Sequence, residues 1–153
     1  MRKLLFTSIV FLSMVGLSAV SGQQLAFTIE NKTVPCSQNS FGLDVTVENF
    51  TLLTSAQFAL KWNQNILQFD HVSSNLPPTP LFNSSNAANG ELLFSWADFA
   101  LPPGESLPNG TVIFTLFFNR LGNGGSSSAI QFGATPTFVM EVSNTSGIIP
   151  LNQ

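Results

Sequence analysis

Chemistry needs side chains that ionise, attack or ligate, and this chain carries few of them. Charged residues are 8% of the sequence, against roughly 25% in an ordinary soluble domain. Asp44, Asp70 and Asp98 are scattered, His71 is the single histidine, and no nucleophile motif accompanies them. General acid–base work needs two positioned titratable groups at one substrate, and no such pair can be assembled here. Cys36 is also alone, which excludes an intrachain disulfide and a cysteine-rich zinc site. In the segment TVPCSQ it reads as a buried or half-buried structural thiol, with an intermolecular role as the lesser reading. His71 shares the Leu67/Phe69 face and reads as a packed histidine. Asp98, Glu105 and loop carbonyls are the one set that would suit calcium, but the dense carboxylate loop of such a site is missing. No cofactor is expected.

Recognition is the remaining chemistry. Sugar rings stack on exposed aromatic planes, and with no Tyr in the chain the candidates are Trp62 and Trp96. Trp62 shares a face with Phe58 and Leu60, so core is the stronger reading. Trp96 ends a strand beside Asp98; core is again favoured, with a sugar platform as the alternative.

The element that organises these residues is Ser55 to Val72, SAQFALKWNQNILQFDHV. Phe58, Leu60 and Trp62 alternate with Gln57, Ala59 and Lys61. A period of two is a β-strand with a large-residue face toward the core. Ser55, Gln57, Ala59 and Lys61 then face outward. Asn63-Gln64-Asn65 makes a polar turn, Ile66-Leu67 plugs it, and a second strand opens at Leu67.

The other strands follow from the same pattern. LAFTIE from Leu25 reads as a first strand, and Phe41–Val47 alternates cleanly. Phe50–Leu53 is a connection covering one end of the core. Leu76-Pro77-Pro78-Thr79-Pro80 excludes a central strand, because proline supplies no ladder donor. Leu81-Phe82 suits a short edge strand, and Asn89-Gly90 is a turn feeding Glu91–Trp96. Thr111–Asn119 is apolar on both faces and is expected to be central and covered on both sides. Ala129–Phe132 and Thr137–Val142 are two more strands, and Ile148–Leu151 is expected to pair back to the start. No ordinary helix and no repeat is visible. The fold class is therefore all-β, a two-sheet β-sandwich of about nine strands. Fifteen Phe supply a thick core.

Residues 1–22 read as a signal peptide: Arg2-Lys3, an apolar run from Leu4 to Val15, then small residues with cleavage after Ser21 or Gly22. Residues 23–153 form the single expected domain. Loss of Arg2 and Lys3 takes the formal charge from −3 to −5. A sparse acidic surface argues against nucleic acid or an anionic membrane as partner. The expected location is outside the cytoplasm, extracellular or periplasmic. Asn31, Asn49, Asn83, Asn109 and Asn144 begin N-x-S/T triplets, frequent by chance in so Asn- and Ser-rich a chain.

The order of strands resembles the cohesin domain. The matching stretches are FGLDVTVENF, QFALKWNQNILQF, NGELLFSWAD and LPNGTVIFTLFFN, within Leu25 to Leu151. The FSW and LPNGT version looks most like exported proteins of Bacteroidetes-type bacteria. The resemblance implies a jelly-roll sandwich without catalysis that binds dockerin modules and so helps assemble polysaccharide-degrading enzymes, the calcium sitting in the dockerin. It also implies a binding face on the sheet that carries Ser55, Gln57, Ala59 and Lys61. Well-known members carry Asn and Asp where this chain has Ser55 and Gln57, which removes a charge-assisted hydrogen bond from that face. The leading expectation is a protein-binding module with a dockerin-like or other protein partner. Carbohydrate binding to a polysaccharide and a structural role at the cell surface are the alternatives.

Overall fold

The computed structural model describes residues 24–100 and 102–149; the expected leader and Leu151 lie outside them. Ten strands are present among the described residues: β1 Ala26–Ile29, β2 Ser40–Glu48, β3 Leu53–Lys61, β4 Leu67–Ser74, β5 Leu81–Asn83, β6 Glu91–Ala97, β7 Thr111–Arg120, β8 Gln131–Gly133, β9 Glu141–Asn144 and β10 Gly147–Ile149. The only helical piece among them is a 3-10 turn at Ala87–Asn89.

One sheet has four strands in the order β1-β2-β7-β4. The other has six, β10-β9-β3-β6-β5, with β8 also pairing β3. All pairs are antiparallel. The chain changes sheet between β2 and β3, β3 and β4, β4 and β5, β6 and β7, and β7 and β8. Such repeated crossing buries the inner face of each strand against the other sheet and gives the two-layer sandwich.

The inner face is built by alternation. Phe41, Leu43, Val45 and Val47 of β2 are buried while Gly42, Asp44 and Thr46 between them are half-buried. Phe58, Leu60 and Trp62 are buried as the period of β3 requires, and Phe50 and Leu53 close one end of the core. The rings interlock across the layers. Phe58 stacks on Phe94 with centroids 4.5 Å apart, and Phe94 meets Phe114 of the opposite sheet at 5.2 Å. Aromatic contacts of this kind add about 0.5–1.5 kcal/mol each beyond the area they bury.

Three register shifts mark where strict alternation fails. One lies between Val45 and Thr46, opposite β7, so that neighbours Ile113 and Phe114 are both buried. Burial of β7 on both faces is therefore partial: its outer side chains Thr115 and Phe117 remain half-exposed. The second lies between Phe69 and His71. The extra residue, Asp70, turns His71 outward and gives the inner place to Val72. This corrects the packed-histidine reading: His71 is exposed, stacked on the outer side of Phe117 at 4.2 Å, with Nδ1 2.8 Å from Asp70 Oδ2. The third shift, between Leu53 and Ser55, opens β3.

Cys36 is exposed, against the buried thiol expected. It belongs to a turn closed by Gln38 N–H donating to the Pro35 carbonyl, outside any strand. Its own carbonyl accepts from Arg120 Nη2 at 2.7 Å. The last strand also departs from expectation. β10 pairs with β9 rather than with the start of the chain, since the Asn144–Gly147 turn folds it straight back. Two other strands are shorter than their apolar runs. β8 starts at Gln131, and β9 starts at Glu141 because Thr135 and Phe138 first close a small turn of their own.

Candidate docking face

β3 is flanked by β6 on one side and by β9 and β8 on the other, so its outer residues sit in the middle of the broad sheet. Paired residues share a face, and the register writes that face out in rows. Ile148, Ser143, Ser55 and Ala97 form the first row. Glu141, Gln57, Ser95 and Leu81 form the second. Gly133, Ala59, Leu93 and Asn83 form the third, and Gln131, Lys61 and Glu91 the fourth. With strands about 4.8 Å apart and alternate residues about 6.8 Å apart, the face measures roughly 19 by 20 Å.

Its polar groups are partly committed. Ser55 Oγ and Ser143 Oγ are hydrogen-bonded at 2.7 Å, with Thr54 Oγ1 a further 3.2 Å contact. Lys61 Nζ donates to the Ala134 carbonyl at 2.9 Å and lies 4.0 Å from Glu91. Glu91 also accepts from Asn86 Nδ2. Glu141 differs: its half-exposed carboxylate has no hydrogen-bond or ion-pair partner among the described residues. It sits directly beside Gln57. So the centre of the face offers one free amide and one uncompensated negative charge. Reading β3 alone missed Glu141, because only the pairing of β9 brings it there.

All four expected face residues, Ser55, Gln57, Ala59 and Lys61, are on this side of β3, but not all are reachable. Ala59 is 0% exposed. Its small side chain lies in the central strand, paired with Leu93 on one side and Gly133 on the other. A small apolar patch at Ala59 is therefore absent, and Ala59→Glu would bury a carboxylate without a partner rather than merely perturb the surface. Trp96 is 2% exposed and donates its Nε1–H to the Pro77 carbonyl at 3.2 Å. Trp62 is buried as well and donates to the Leu67 carbonyl. Neither indole offers a plane to a sugar ring.

The carboxylates do not converge. Asp44 accepts from Thr115 Oγ1 on the outer side of the four-stranded sheet. Asp70 is beside His71. Asp98 is buried, its two oxygens accepting from the Ala100 and Gly104 backbone N–H groups at 2.9 and 3.2 Å. That makes it a loop clamp. No group of three or more His, Cys, Asp or Glu suited to a metal ion occurs among the described residues.

The fold is that of the cohesin domains. Three solved structures show the likeness. A type I cohesin–dockerin complex from Clostridium thermocellum, Coh-OlpA–Doc918, matches with a TM-score of 0.67 at 11% identity, over 83% of this chain and 92% of that one. The seventh ScaB type I cohesin from Pseudobacteroides cellulosolvens matches with a TM-score of 0.64 at 14% identity, over 82% and 83%. A non-cellulosomal cohesin from the archaeon Archaeoglobus fulgidus matches with a TM-score of 0.53 at 17% identity, over 73% of each chain. No protein-family model matches the sequence, and no curated protein matches it either.

Proposed function

We propose that this protein is an exported, non-catalytic binding module that docks a protein of dockerin type on the outer face of its six-stranded sheet. The observation that carries the reading is the shared fold, which recurs in structures solved as cohesin–dockerin complexes. The face supports it. Gln57 and Glu141 form a central polar pair with a free carboxylate, suited to a Lys or Arg of the partner through a charge-assisted hydrogen bond. The carboxylate absent at Gln57 is thus offered one strand away. Scattered and committed Asp side chains give no support to an enzymatic reading. A link to extracellular polysaccharide breakdown belongs to the same proposal, and so does export through residues 1–22.

The test is titration of the protein with a panel of dockerin modules, run beside sedimentation with insoluble cellulose and chitin. Saturable binding to a dockerin, weakened at least tenfold by Gln57→Arg and by Glu141→Lys with unchanged melting, is the expected result. Binding to polysaccharide alone would contradict the proposal. An intact Met1 on the mature protein would contradict export.

A further inference from the structure

Protein contacts draw most of their energy from a few buried anchors, often aromatic, set among polar groups that contribute little. The centre of the docking face has no such anchor. Ser55 and Ser143 are bonded to each other, Gln57 and Glu141 are polar, and Ala59 has no exposed surface. Three of the exposed apolar side chains lie toward one end instead. Ile148 is in the first row, Leu81 in the second at the opposite edge, and both are more than half exposed. Phe99 follows two residues after Ala97, just beyond the first row, and is 89% exposed.

The backbone around Phe99 is tied down. Asp98 N–H donates to the Thr54 carbonyl at 2.8 Å, which fixes the residue before it to β3. The Asp98 carboxylate holds the backbone N–H groups of Ala100 and Gly104. Gly104 in turn packs so close to Leu52 that a Cβ there would lie 2.8 Å from the Leu52 carbonyl oxygen. Leu52 has a left-handed φ of 50° and is itself exposed. A leucine in that conformation is strained, and here its strand-entry corner is held by Ser106 Oγ, which accepts from Leu52 N–H. Backbone held on both sides of Phe99 in this way meets a partner with little ordering cost.

We infer that Phe99 is the apolar anchor of the docking face, inserted into an apolar pocket of the same protein partner that meets Gln57 and Glu141. This rests on the docking face proposed above and extends it to the Phe99 end of the sheet. From Ile148 across to Ala97 is about 14 Å at ~4.8 Å per strand, so one small folded module reaches the polar pair and Phe99 together. Asp98 is a positioning residue: it sets the backbone on both sides of Phe99.

The test is selection of binders from a displayed library built on a dockerin scaffold with randomised exposed helix positions, using the full protein as target. Each binder is then titrated against Phe99→Ser, Phe99→Tyr and Gln57→Arg. Phe99→Ser should keep the wild-type melting temperature, because the ring is 89% exposed, yet weaken binding at least tenfold. Phe99→Tyr should restore it to within a few-fold. Binders lost by Gln57→Arg but indifferent to Phe99→Ser would overturn this inference and leave the docking face standing. Binders indifferent to both would overturn the docking face itself.

Discussion

Phe58 has no exposed surface and is surrounded by three rings, Phe94 at 4.5 Å and Phe27 and Phe132 at 5.1 Å each. Truncation leaves a cavity that rings held by separate strands cannot fully close. Phe58→Ala should cost about 3–5 kcal/mol, read as a lower denaturant midpoint at unchanged slope. A wild-type midpoint would show that β3 faces the other way. At this scale the sequence was most legible where one strand decides the matter. The faces of Phe58, Leu60 and Trp62 followed from a period of two, and so did those of Phe41 to Val47. It was least legible where a neighbouring strand decides. Ala59 is buried in a strand whose partners there, Leu93 and Gly133, are 34 and more positions away. Glu141 reaches Gln57 only through pairing across 84 residues. Cys36 was misread because exposure in a turn depends on what packs above it, which local pattern does not encode.

Elements failed the reading at their irregularities. The bulge at Asp70 reverses the alternation of β4, and nothing in LQFDHVSS distinguishes it from an unbroken strand. Bulges arise from the register two strands can share, so they are properties of a pair. Turns were more legible because glycine marks them. Gly90 ends the 3-10 turn with φ 79°, and a Cβ there would lie 2.3 Å from the Trp62 carbonyl oxygen. Gly110 has nearly the same φ, 78°, with nothing within 4 Å of such a Cβ. The pair separates conformational strain from close approach. Gly110→Ala should cost about 1–2 kcal/mol from the left-handed backbone alone. Gly90→Ala should cost clearly more, because the Trp62 end of β3 must also move. Equal losses in thermal melts of the two variants would contradict this account of the β3–β6 junction.

For the molecule as a whole, the two-sheet sandwich was legible from the spacing of strands and turns, and the resemblance in four core stretches led to the same fold. Where β10 goes was not legible: Ile148 and Ile149 would suit either sheet by pattern, and the tight turn at Asn144–Gly147 decides for β9. That choice matters for the proposed docking, since it places Ile148 in the first row of the broad face. The two outer faces also differ in kind. The four-stranded sheet presents Asp44 bonded to Thr115, His71 stacked on Phe117, and near its β1 edge the half-exposed Glu48, which has no partner among the described residues. The six-stranded sheet presents a free carboxylate, an amide and an apolar end.

Backbone amide hydrogen exchange of the protein, alone and saturated with a dockerin module that binds it, tests the proposed docking most directly. Added protection is expected in β3, β6 and β9 and around Phe99, with β2, β4 and β7 unchanged. Protection confined to β2, β4 and β7 would contradict it.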